Sequence, residues 1–216
     1  MLFCPNQRLK MPSNWSFLSE AMAVIHMIVE GLLDEAVANR IIVATNRTPG
    51  PCYPKKGFTY IKDKIRDFNK SAITINYLAL VDFMDTGLPC PGAVITTWLP
   101  YRQPKMLFRV VVREIESWLL ADRENIARFL QIATTKVPDR PEEIENPKQF
   151  LINLARTSRS KRVRAALVPD ERSTATEGRL YTSELSQFVN QHWDPANACR
   201  NAPSLERCYK RLQALT

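Results

Sequence analysis

The apolar positions follow two rhythms. Residues 23–29 are nearly all apolar, the mark of a strand buried on both faces of a parallel sheet. Gly31 breaks the run, and residues 33–43 take on helical character. Residues 46–57 hold three prolines and two glycines and read as a loop. Phe58, Ile61, Ile65 and Phe68 then recur at three- and four-residue spacing, a helix stripe with Lys62, Lys64, Arg66 and Lys70 on its other sides. A second apolar run, residues 77–81, ends at Asp82, and Ile73 and Ile75 lead into it. Gly87, Pro89 and Pro91 mark a loop before a short helix to about Leu99, and residues 107–112 form a third strand. Beyond it the pattern is helical. Ile115, Trp118 and Leu119 share one side, Asp122 caps a second piece through Leu130, and Asn146-Pro147 starts another helix. Residues 182–193 and 203–215 complete the series.

Strands alternating with helices, then helices alone, predict an α/β fold. Its mostly parallel sheet is flanked by helices and followed by a helical C-terminal portion. The expected organisation is a poorly ordered leader over residues 1–21, an α/β domain over 22–130, and a helical extension over 131–216 packed on the same core. The leader has no clear period, and Met22 stands where the first ordered element begins.

Composition narrows the chemistry. Apolar residues make up 45% of the 216, enough for a packed core. A net charge of +8 and a pI near 9.4 favour anionic partners, nucleic acid among them, although many basic proteins bind none. The five cysteines are scattered with no CxxC pair, which suits a reducing, cytoplasmic setting better than a disulfide framework or zinc site. No apolar stretch approaches the ~20 residues a membrane span needs. With only His26 and His192 available, HExxH chemistry is excluded, and His26 reads as a core histidine. Acid–base or metal chemistry must therefore rest on carboxylates, which suit Mg²⁺ or Mn²⁺.

All three apolar strands end in acids. Glu30 follows the first, with Asp34 and Glu35 close behind. Asp82 ends the second, with Asp85 three residues on, and Glu114 and Glu116 follow the third. Ligand sites of open parallel sheets lie beyond the carboxyl ends of the strands, and neighbouring strands are ~4.8 Å apart. Adjacent strands would let these carboxylates share one or two cations. The bland alternatives are that Asp34 and Glu35 answer a helix dipole and that Glu116 lies on a solvated face.

VEGLLDE (29–35) followed by LALVDFMD (78–85) resembles the Toprim (topoisomerase–primase) fold. The wider run, including KKGFTYIKDKIRDFN (55–69), FRVVVREIESWLLADRENIARFL (108–130), NPKQFLINLAR (146–156) and WDPANACRNAPSLERC (193–208), resembles RloG-like bacterial proteins, a Toprim-like domain of unknown function. The resemblance implies a Rossmann-like sheet, Mg²⁺ coordination and a partner ATPase in mobile-element or phage-defence regions. It also implies that Glu30 is the general acid or base and that Asp82 is a metal ligand. Asp34, Asp85, Glu114 and Glu116 are the further metal candidates. Met84 stands where the resemblance expects a second aspartate, and Asp85 comes one residue late.

Basic residues supply candidates for a nucleic-acid backbone: Lys55 and Lys56 before the basic helix, Arg113 beside Glu114, and Arg156, Arg159, Lys161, Arg162 and Arg164 in one run without an acid. A solvated charged surface explains that run equally well. Trp118, Trp193 and Tyr181 read as core or docking residues, and Gly178 as a turn. Two functions follow as expectations. One is a Mg²⁺-dependent Toprim-type phosphodiesterase or nuclease. The other is a non-catalytic subunit of an ATPase-based defence complex with a degenerate acidic site.

Overall fold

The computed structural model describes residues 23–53 and 56–215. The predicted leader and Lys55 lie outside them. The core is a four-stranded, all-parallel sheet in the order β2-β1-β3-β4, formed by β1 (Val24–Ile28), β2 (Thr48–Cys52), β3 (Asn76–Asp82) and β4 (Met106–Val111). The acid-ended strands β1, β3 and β4 are therefore neighbours, as a shared site requires.

Strand β2 corrects the sequence reading, which made residues 46–57 a loop. Its sequence, Thr-Pro-Gly-Pro-Cys, holds two prolines, and proline is tolerated where an amide faces away from the sheet. Thr48 donates its amide to the Ala23 carbonyl, and among the described residues β2 is an edge strand with β1 as its single neighbour. Gly50 serves this pairing by having no side chain. A Cβ there would meet Val24 Cγ1 at 2.7 Å.

Alternation along the strands splits the core in two. Ile25, Met27, Leu78, Leu80, Leu107 and Val111 face one layer, while Ile28, Tyr77, Ala79, Val81, Phe108 and Val110 face the other. The second layer is thin. It is covered by α2 (Gly57–Ser71), with Ile61 and Ile65 inward, and by α3 (Pro91–Trp98). His26 points to this side and is half-buried. Its Nδ1 lies 3.2 Å from the Tyr53 hydroxyl.

The first layer is thick. On this side of the sheet lie α1 (Leu32–Ala44), α4 (Ile115–Ala121), α5 (Arg123–Leu130), α6 (Pro147–Arg156), α7 (Lys161–Leu167), α8 (Tyr181–Gln191), α9 (Pro195–Ala198) and α10 (Pro203–Gln213), some packed on other helices of the layer. One continuous apolar cluster runs from Ile25 to Leu212, so the C-terminal helices share the core of the sheet. Helix α4 is its centre, and all seven of its residues are buried. Trp118 donates its indole N–H to Ser204 Oγ at 2.8 Å, and Trp193 donates to the Trp118 carbonyl at 3.1 Å. Both indoles are thus core residues with satisfied polar tips.

Gly178 is more than a turn. A Cβ there would lie 2.1 Å from the Ala166 carbonyl oxygen, because the chain leaving α7 passes directly over that backbone before entering α8. This close approach brings the N-terminus of α8, and Tyr181 with it, to the carboxyl ends of the strands.

Candidate functional site

The site forms where β1, β3 and β4 end. Glu30 follows β1, and its Oε1 accepts the Asp82 amide at 3.0 Å. A side-chain oxygen there extends the strand ladder by one rung, tying the end of β1 to the end of β3. Asp34 sits one turn into α1, and its Oδ2 accepts the Gly31 amide at 3.1 Å in a capping arrangement. The N-terminus of α2 approaches the same point, since Gly57 donates to the Glu30 carbonyl at 3.2 Å. Lys56, exposed, therefore stands beside the first acid.

Past Asp82 the chain still follows β4. Phe83 donates to the Val111 carbonyl and Met84 to that of Arg113. A 3₁₀ turn over Met84–Thr86 then carries Asp85 to an exposed position. Arg113 adopts φ +71°, the left-handed region that a non-glycine residue rarely occupies. This turn ends β4 abruptly and starts α4, with Glu114 at the N-cap and Glu116 in the first turn.

Helix α6 and the entry to α8 complete the site from far along the chain. Asn146 caps α6 by accepting from the Gln149 amide at 2.8 Å. The next free amide, that of Lys148, donates to Glu114 Oε2 at 2.9 Å, so a helix N-terminus holds this carboxylate. The Tyr181 hydroxyl donates to Glu116 Oε1 at 2.9 Å. The Lys148 ammonium lies 5.1 Å from the Tyr181 ring centre and pairs with the Glu177 carboxylate. Sequence reasoning missed Lys148 and Glu177 and read Tyr181 as a core or docking residue. The one signal available for Lys148 was its place in the first turn of a capped helix, where amides are free.

Electrostatics bind these residues into one unit. Burial lifts Glu30 to about 7, the Asp82 amide pulls it back, and the charges of Asp34 and Asp85 push it up. Burial lifts Asp34 too, against its backbone donors and the charge of Lys148. Asp82 is pushed well above the ordinary aspartate range, by burial first and then by Asp34, Glu116, Glu30 and Glu114. Its Oδ1 is sealed from solvent and has no hydrogen-bond partner. Burial and the Glu114 charge raise Glu116 to about 7, although the Tyr181 hydroxyl opposes this. Burial and the charge of Glu116 hold the Tyr181 hydroxyl firmly protonated. Burial pulls Lys148 down, but Glu177, Glu116 and Glu114 outweigh it and keep the ammonium charged.

An all-oxygen set of carboxylates with one orphaned buried oxygen fits a hard divalent cation. The fit is not that of a finished cage. Among the described residues, no three Asp, Glu, His or Cys side chains are gathered closely enough to chelate a metal ion. Glu30, Asp34, Glu114 and Glu116 each lean on a backbone or side-chain donor, whereas Asp82 Oδ1 has none.

The basic candidates divide. Arg156, Lys161 and Arg164 line an open groove of about 1130 Å³, and Arg172 and Arg179 join them there. Arg159 does not line it. Arg162 is taken by Glu184, with Nη1 2.5–2.6 Å from both carboxylate oxygens, which corrects its reading as a free phosphate contact. Arg113 lies apart from the groove, at the start of α4.

Neither family models, nor curated proteins, nor solved structures include a match to this chain. Among the described residues, no helix is long and apolar enough to cross a membrane.

Proposed function

We propose that this chain is a Mg²⁺-dependent, Toprim-type phosphodiester hydrolase acting on nucleic acid. The observation that carries the reading is the state of Asp82. This strand-end aspartate has a buried oxygen without a partner and sits in the field of four other acids. Such an arrangement costs stability unless a proton or a cation offsets it. The three acid-ended neighbouring strands also support a Toprim-like sheet.

Asp82 would hold the ion, joined by Asp34, Glu114 or Glu116 as they turn toward it. Bound Mg²⁺ would stabilise charge on the phosphoryl oxygens and lower the pKa of a coordinated water. Glu30, titrating at about 7, is suited to take or return a proton near neutrality. Tyr181 fixes the rotamer of Glu116. Lys148 supplies a permanent positive charge to Asp34, Glu114 and Glu116. Asp85, exposed but coupled to Glu30, is an outer ligand or a metal-entry residue.

The test is twofold: calorimetric titration with Mg²⁺ and Mn²⁺, and cleavage of plasmid DNA and RNA by wild type, Glu30→Gln and Asp82→Asn. Metal uptake lost in Asp82→Asn, with cleavage lost in both variants, is the expected result. Equal cleavage by all three proteins overturns the catalytic roles. One observation favours a second reading, a non-catalytic subunit docked on an ATPase: Met84 occupies the expected position of a second acid and is 41% exposed. Metal uptake without cleavage would select it.

A further inference from the structure

The groove of Arg156, Lys161 and Arg164 shares Arg179 with a second concavity. Its cations come from separate segments: Arg156 at the end of α6, Lys161 and Arg164 on α7, Arg172 and Arg179 on the chain between α7 and α8. Asp170, Glu171 and Glu177 also line it, but two of these are engaged. Asp170 accepts the Arg172 amide at 2.9 Å, and Glu177 pairs with Lys148. The five cations outnumber the three acids, and Glu177 is already paired with Lys148, while Arg164 also donates to the Ser158 carbonyl. The second concavity, a crease of about 700 Å³, runs between α1 and α8.

The character changes from one to the other. The crease is polar rather than charged. Asn39, Thr182, Ser186 and Asn190 line it, with Glu35 as its acid. Ser186 Oγ is buried without a hydrogen-bond partner. Among the described residues, neither concavity is lined by an aromatic side chain. The groove reaches the acid site through one link. Glu177 lines the groove and holds Lys148, whose amide holds Glu114.

From this geometry we infer that the joined groove and crease bind the sugar–phosphate backbone of a duplex nucleic acid and lead it to the acids. The inference rests on the proposed function and names its substrate class. Arginine and lysine with hydroxyl and amide side chains make the contacts that phosphates and sugars accept. Single-strand binders stack unpaired bases on aromatic rings, and these two concavities offer none. A duplex needs no such platform, because it presents its phosphates outward at fixed spacing.

The experiment is fluorescence anisotropy with labelled duplex DNA, duplex RNA and the matching single strands, in EDTA, between about 50 and 200 mM salt. Duplex is expected to bind about tenfold more tightly than single strand, with a salt slope reflecting several phosphate contacts. The double substitution Arg172→Ala/Arg179→Ala alters two exposed side chains. It should weaken duplex binding by at least about tenfold and reduce the slope by about 2. Arg162→Ala, whose side chain is already paired, should stay within about twofold of wild type. The DNA and RNA arms decide between the two duplexes. Single strand binding as tightly as duplex, a double variant no weaker than Arg162→Ala, or no duplex binding at all would each overturn the inference. Because EDTA removes the metal, this readout fails or succeeds independently of Mg²⁺ titration on the acid site.

Discussion

Asp82, half-buried with one sealed oxygen, and Asp122, fully buried, are both aspartates, and they meet opposite fates. Asp122, between α4 and α5, is 0% exposed, yet its oxygens are fully used. Oδ1 accepts from Asn197 Nδ2 at 2.6 Å. Oδ2 accepts from Asn125 Nδ2 at 2.7 Å and from the Asp194 amide at 2.8 Å. It occupies the N-cap position of α5, but its side chain ties that corner to α9 instead of capping the helix. Asp82 has a sealed oxygen with no donor and other acids around it. Burial alone does not mark a site. Buried hydrogen-bonding capacity left unmet does, because a ligand can satisfy it where the protein has not.

The largest expected effect separates the two directly. Asp82→Asn should cut phosphodiester cleavage about a thousandfold, the usual scale for losing one strong transition-state contact. It should also raise the stability of the metal-free protein by about 1–2 kcal/mol in urea unfolding, since a repelled acid is removed. A loss of stability would place Asp82 with Asp122 as a structural residue. Asp122→Ala should do the reverse, costing about 3–5 kcal/mol because three donors are orphaned, and should leave too little folded protein for a cleavage assay at elevated temperature. Unchanged unfolding would break the comparison from the other side.

A smaller effect is the pH dependence of the metal-free protein. Glu30 and Glu116 titrate at about 7 when folded, against an ordinary 4.5. Between those values the folded state keeps protons that the unfolded chain has released. Their contribution to stability is complete below 4.5 and is lost as pH rises through 7. Melting temperature should therefore fall by about 5 °C from weakly acidic to weakly basic buffer. Mg²⁺ should restore it mainly at the basic end, where it replaces the lost protons. A flat profile would mean that burial does not raise these acids. The smallest effect is that of Tyr181→Phe, about 1 kcal/mol from one lost hydrogen bond. It should also move the Glu116 titration further up, as carboxylate infrared bands or NMR would show. No movement would detach Tyr181 from the site.

Much of this was legible along the chain. Continuous apolar runs announced β1, β3 and β4, because strands buried on both faces have no polar side to show. The acids at their ends were visible as residues in sequence. Strand β2 was hidden, since an edge strand tolerates the prolines and glycine that ordinarily signal a loop. The pairing of Arg162 with Glu184 was also hidden, because charge along a run does not say which cations are already spent on acids from another helix.

The sequence by itself determined where chain direction changes and which acids stand at strand ends, for these follow from local periodicity. Only the tertiary structure decided that Lys148 and Tyr181, from helices far downstream, and Glu177, from the chain between α7 and α8, would close over those acids. It alone made Asp82 an unsatisfied carboxyl and Asp122 a satisfied one. Which donors meet a buried oxygen depends on how distant helices pack, and no local pattern encodes that.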